Sequence, residues 1–88
     1  MARKPRDLYL YELRDGHEIV YYGISHDPDN RLKQHLNSDK QFTHMNVNNV
    51  ALTRPSVEAR ETDEIQRYEQ QHGGRAPKYN IRKTRGNR

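Results

Sequence analysis

The chain contains no cysteine. Disulfides are thereby excluded, and so are the thiolate–zinc sites that hold many small domains together. Hydrophobic residues are also scarce: they fill 31% of the 88 positions, while charged residues fill 32%. A core drawn from that supply is thin, so each apolar side chain has to be placed economically. No apolar run in the sequence approaches the roughly 20 residues that cross a bilayer, and none has the length and flanks of a signal-peptide core. The expectation is a soluble, cytoplasmic protein with no membrane partner, and its length suits one small domain. Phenylalanine occurs once, at Phe42, against six tyrosines. Some of those tyrosines must supply core volume while their hydroxyls reach water.

Acid is missing from both ends. Residues 7–74 carry seven Lys/Arg against twelve Asp/Glu, whereas Arg3, Lys4 and Arg6 precede them. Arg75, Lys78, Arg82, Lys83, Arg85 and Arg88 follow, and the whole comes to a net charge of +4. Basic tails on an acidic body suit a polyanionic partner bound with release of counterions, ahead of the plainer reading of a domain that only needs to stay soluble.

Between the tails, Leu8-Tyr9-Leu10-Tyr11-Glu12-Leu13 and Ile19-Val20-Tyr21-Tyr22 are rich in strand formers, and Asp15-Gly16 between them signals a hairpin. Gly23 follows the second strand as an interruption, marking a bend, a bulge or a close backbone approach. Asp27 and Pro28 offer an N-cap and first turn for a helix to about Asn37, with Leu32 and Leu36 on its apolar face. Residues 37–46 read as a loop and Val47–Thr53 as a third strand. Pro55-Ser56 opens a second helix with Ser56 as N-cap, running to about Gln71 and ended by Gly73-Gly74. Pro77-Lys78-Tyr79-Asn80 reads as extended. The expected fold is α+β: a three-stranded antiparallel sheet flanked by helices, in the order β-β-α-β-α. There is no internal repeat and no low-complexity stretch.

Several residues invite a chemical reading. On the second helix, Val57, Ile65 and Tyr68 form an apolar stripe, and Glu61 sits within it, four residues from both Val57 and Ile65. A buried carboxylate needs a cation, whereas a short exposed helix would leave Glu61 solvated beside Arg60 and Glu64. Arg31 and His35 are four apart and share a helical face; together they could clamp a phosphate and move a proton, or be a surface pair. His17, His26, His44 and His72 have no zinc-ligand spacing. Asn80 could serve as a turn residue or a helix cap.

In combination these residues resemble a GIY-YIG nuclease domain. Tyr9-Leu10-Tyr11 stands where that family has its first triplet and Tyr21-Tyr22-Gly23 where it has its second, with Tyr11 and Tyr21 ten positions apart. Gly23-Ile24-Ser25 followed by Arg31, then His35, resembles the family's next run. Arg60-Glu61 through Ile65 resembles the helix that bears its metal-binding glutamate, and Pro77-Lys78-Tyr79-Asn80 its close. The likeness covers about residues 7–81, leaving residues 1–6 and 82–88 as basic tails. Tyr9 replaces a glycine and Tyr22 an isoleucine of the family pattern. Extra residues around Gln70–Ala76 make Glu64 an alternate to Glu61, and His44 is an alternate to His35.

The resemblance implies an endonuclease that hydrolyses DNA phosphodiesters, RNA ranking second, with one Mg²⁺ or Mn²⁺ ion held by Glu61. It implies Tyr11 as general base, its pKa lowered by the metal and Arg31, with His35 taking the proton onward. Arg31 and Tyr21 would stabilise charge on the phosphorus, and Asn80 would orient the site. Arg31, Lys33, Lys78, Arg82, Lys83 and Arg85 are the expected nucleic-acid contacts, and the loop around Asp39–Asn49, the tails or a partner would select the target. The alternative is a module of the same fold that binds nucleic acid without cutting it. A protein-interaction module would show no salt-dependent DNA affinity.

Overall fold

The computed structural model describes residues 6–80. The tails expected at 1–6 and 82–88 therefore lie outside the described residues, except for Arg6, which is exposed. Strand β1 spans Tyr9–Asp15 and strand β2 spans Glu18–Ser25. They pair antiparallel around the two-residue loop Gly16-His17. Gly16 has φ 66° and no other residue of the loop is left-handed, the arrangement of a type II′ turn, which follows the twist of the flanking strands. Helix α1 covers Pro28–Leu36, strand β3 His44–Val47, and helix α2 Arg54–Gln71. β1 is central, with β2 and β3 antiparallel on either side. The order β-β-α-β-α and the α+β architecture are those expected.

The pairing slips by one residue between Leu13 and Arg14, leaving Val20 opposite the step. Such a bulge bends the strand and increases its twist. Val20 is buried with Tyr11 and Leu13, against Tyr21, Phe42, Met45 and Tyr79. A second cluster joins Leu8, Leu10 and Val57 of α2, with Ile24 and Leu52 packed on it. Two small cores, one towards each helix, are what so few apolar residues can fill.

Four boundaries differ from expectation, each for a local reason. β2 does not stop at Tyr22 but runs through Gly23 to Ser25. β3 occupies His44–Val47 instead of Val47–Thr53. The ladder ends where Asn48 donates its N–H to Leu10 O at 2.9 Å and accepts the Val50 N–H on its side chain at 3.2 Å, a local turn that competes with strand continuation. Only Leu52 rejoins, through an isolated bridge to Leu8. The N-cap of α2 is Thr53, not Ser56, because Thr53 Oγ1 accepts the Ser56 N–H. Pro55 then falls in the first turn, where its missing N–H costs nothing. Pro77–Asn80 is not extended: Asn80 N–H bonds to Pro77 O at 2.9 Å, closing a turn.

In α1, Asp27 is the N-cap as expected, but the inward face is not the leucine face. Leu36 is 64% exposed, and the buried side chain of the helix is His35. A buried imidazole in place of an available leucine requires a polar partner on the sheet.

Candidate active site

That partner is Tyr11. Its hydroxyl lies 2.8 Å from His35 Nε2, and both side chains are buried. Tyr11 reaches this place because β1 alternates: Leu8 and Leu10 point to the α2 core, Tyr11 and Leu13 to the opposite one. β2 delivers Tyr21 to the same side, its ring centroid 6.1 Å from that of Tyr11 and 5.2 Å from His35. Phe42 closes the group edge-on to His35 at 6.4 Å.

The chain turns from β2 into α1 through Ser25, a buried residue whose Oγ accepts the Asp27 N–H at 2.9 Å. Asp27 Oδ1 in turn accepts the Asn30 N–H at 3.2 Å. This pair of capping bonds fixes where α1 begins, and so where Arg31 and His35 project. Arg31 is near enough for its positive charge to act on Tyr11, Tyr21 and His35. It has no carboxylate partner among the described residues.

The electrostatics are set mainly by burial. Burial pushes the Tyr11 phenol well above its ordinary range, and the neighbouring Tyr21 adds to the rise; Arg31 pulls it down without overcoming them. The sequence expectation that Arg31 would help lower this pKa is therefore right in sign, but the balance is upward. Tyr21 is raised by burial and then by the negative charge of Glu61. His35 is lowered, first by burial and then by the positive charges of Lys40 and Arg31. Tyr11 protonated beside a neutral imidazole is the stable pair at neutral pH.

Glu61 is half-buried on α2, and burial followed by repulsion from Glu58 raises its pKa. No lysine or arginine pairs with it among the described residues. The alternate, Glu64, is paired with Arg67 at 3.6 Å and lines a cleft with Glu12, Tyr22, Asn46 and Arg60. Its charge is felt by Tyr22, which burial and then Glu64 raise to about 12, not by Tyr21. His44, the alternate to His35, is exposed at the start of β3 and bonded to Thr43, three pairs along the ladder from Tyr11.

No group of three or more His, Asp or Glu among the described residues could enclose a metal ion. A lone, half-buried carboxylate with no cation fits a small hard ion that takes most of its ligands from water and phosphate, as Mg²⁺ does. It does not fit a dedicated protein cage.

Asn80 is held against the β2 backbone at Tyr22. Its Oδ1 accepts the Tyr22 N–H at 2.7 Å and its Nδ2 donates to Tyr22 O at 3.0 Å, so the amide imitates a paired strand along the free edge of β2. Tyr79 N–H bonds to Val20 O at 2.8 Å just before it. Lys33 is exposed on α1, and Lys78 Nζ lies 5.2 Å from the Tyr79 ring. Arg82, Lys83 and Arg85 lie outside the described residues. Sequence reasoning passed over Tyr79, Phe42, Lys40 and Ser25 as site residues. Of these Ser25, inside the Gly-Ile-Ser run, and Tyr79, inside the Pro77–Asn80 run, carried a signal.

A family model described as the GIY-YIG catalytic domain matches residues 8–80. Neither the curated proteins nor the solved structures returned a match. No helix among the described residues is long and apolar enough to cross a membrane.

Proposed function

The chain belongs to the GIY-YIG catalytic-domain family, a nuclease-type fold, and on that premise we propose that it is a divalent-metal-dependent endonuclease hydrolysing phosphodiester bonds in DNA. The observation that carries this reading is the meeting of Tyr11, Tyr21, Arg31 and His35 at one place, with the unpaired Glu61 carboxylate acting on Tyr21. Proton acceptor, phosphate-binding cation and metal-binding carboxylate are the parts such a hydrolysis needs.

The attacking water gives its proton to the Tyr11 oxygen while Tyr11 passes its own to His35 Nε2, so that no free phenolate is required. That relay suits a phenol held protonated and an imidazole held neutral. The water oxygen forms a bond to phosphorus as the bond to the 3′ oxygen breaks, leaving a 5′ phosphate. The departing 3′ oxygen takes a proton from solvent water to become the 3′ hydroxyl, while His35 returns its proton to solvent. Arg31 binds the non-bridging oxygens, on which negative charge grows, and the Tyr21 hydroxyl donates to the same oxygens. Glu61 would hold Mg²⁺ or Mn²⁺, which when bound polarises the phosphate and stabilises the leaving oxygen. Asn80 does not touch the reaction; it fixes the β2 backbone beside Tyr21.

Nicking of supercoiled plasmid, with Mg²⁺ against EDTA, tests the reading. Wild type should nick only with the metal, and Arg31→Ala and Glu61→Ala should not nick while keeping their folded circular dichroism. Binding without nicking would make the chain a nucleic-acid-binding module. Linear duplex, branched DNA, single strands and RNA in the same assay would rank the substrates.

A further inference from the structure

Lys40 lies in the connection between α1 and β3, a segment polar enough to read as plain loop. The loop is nonetheless tied down on both sides of it. Ser38 Oγ donates to His35 O at 2.6 Å and accepts the Lys40 N–H at 3.2 Å. The next N–H, of Gln41, donates to the Tyr79 hydroxyl at 2.9 Å. Lys40 is thereby anchored to the proton-accepting histidine at one end and to the β2 edge segment at the other.

Its ammonium is placed as well. Nζ lies 5.4 Å from the centre of the Tyr21 ring and 5.9 Å from that of Tyr79. Ring faces attract a cation while leaving its N–H donors free. Among the described residues no carboxylate lies within ion-pair distance of it. A solvated loop lysine would keep its rotamer entropy instead of resting over two aromatic rings.

Arg31 and Lys40 are also the two positive charges that act on His35. Neither has a carboxylate within ion-pair distance among the described residues. Lys78 Nζ lies 5.2 Å from the centre of the same Tyr79 ring, adding a second ammonium beside it.

The geometry points to Lys40 as a phosphate-binding residue that holds the nucleic-acid phosphate flanking the scissile one, an inference that rests on the nuclease reading above. One phosphate taken by Arg31 and the next by Lys40 would set the strand across Tyr21 and give both cations an anionic partner. Lys40 would then govern how tightly and in what register the strand is held, with Arg31 keeping the charge-stabilising role.

Fluorescence anisotropy of the full chain with a labelled DNA duplex in EDTA tests this apart from cleavage. Across about 50 to 200 mM salt, each phosphate contact contributes about −0.9 to the slope of log K against log salt. Lys40→Gln should make the slope shallower by about one such contact and weaken binding several-fold, and Lys40→Arg should restore both. A duplex with a neutral methylphosphonate at the flanking position should weaken wild type but leave Lys40→Gln unchanged. An unchanged slope in Lys40→Gln, or equal sensitivity of both proteins to the methylphosphonate, overturns the inference while leaving the nuclease reading intact. Wild type that binds with the expected Lys40 dependence yet never nicks with Mg²⁺ overturns the nuclease reading and keeps Lys40 as a phosphate contact. Wild type with no affinity for DNA overturns both.

Discussion

Gly23 stands directly opposite Tyr11 across the hairpin, and a Cβ built on it would collide with Cζ and the hydroxyl of the Tyr11 ring and come within 2.8 Å of Tyr21 Cε2. Its φ is not left-handed, so the glycine is there for space and not for backbone freedom. An ordinary strand glycine replaced by alanine gains roughly 0.5–1 kcal/mol. Here the methyl would fall on a fully buried ring, and overpacking costs about 1–3 kcal/mol. Gly23→Ala should therefore lower stability by about 1–2 kcal/mol in urea. It should reduce nicking far more, about a hundredfold, by pushing the Tyr11 hydroxyl off His35. Wild-type nicking in Gly23→Ala would disprove the close-approach reading.

Glu61 sets stability against function. Its folded pKa is raised, so between the unfolded carboxylate value near ~4.3 and that higher folded value the native state binds more protons than the unfolded one. Stability contributed by the protonated form is present below that window and lost as pH rises through it. At neutral pH, Glu61→Gln should unfold at a higher temperature than wild type and fail to nick. Mg²⁺ should raise the melting temperature of wild type and leave that of Glu61→Gln unchanged, because a ligand stabilises only a fold that binds it. A Glu61→Gln protein less stable than wild type would count against the unpaired carboxylate.

His35 predicts an acid limb. Burial, with Lys40 and Arg31, lowers its folded pKa below the unfolded value near ~6.5. The unfolded state then binds more protons in that window, so stability is full above about 6.5 and is lost as pH falls towards the folded pKa. The nicking rate should fall over the same range, because imidazolium cannot accept the Tyr11 proton. The midpoint should lie below the ordinary histidine value. Lys40→Gln and Arg31→Lys offer a check: removing the Lys40 charge should move the midpoint up, while Arg31→Lys, which keeps a charge, should move it less. A midpoint at or above the ordinary histidine value would rule out His35 as the acceptor.

The fold was legible where local chemistry is strong. The strand formers around Gly16, the Asp27-Pro28 cap and the Val57–Tyr68 stripe all produced the elements expected of them. β3 was misplaced because its burial comes almost wholly from Met45 against the sheet. Its sequence is polar on an edge, while the apolar Val50-Ala51-Leu52 that resembled a strand is turned aside by Asn48. Helical spacing singled out Arg31, His35 and Glu61 but left each open to a surface reading, and only the family resemblance gave them roles. That Leu36 would be exposed and His35 buried follows only from the position of the Tyr11 hydroxyl, a contact 24 residues away. Lys40 meets the Tyr79 ring, and Gln41 meets the Tyr79 hydroxyl through its backbone N–H, contacts that no spacing rule encodes.

Asn80 separates a positioning residue from a reacting one. Both ends of its amide are committed to Tyr22, 58 residues away in sequence, and they hold the turn of Pro77–Asn80 against the β2 edge. Each such bond contributes roughly 0.5–1.5 kcal/mol, and a half-buried backbone group left unpaired costs more. Asn80→Ala should therefore lose about 2 kcal/mol of stability. Asn80→Asp, which keeps the acceptor for Tyr22 N–H but loses the donor to Tyr22 O, should lose about half as much. At a temperature where both variants are fully folded, their nicking rates should stay within about tenfold of wild type and their pH midpoints should not move. A Glu61-like loss of nicking in a folded Asn80→Ala, with stability unchanged, would instead place the amide on substrate or metal.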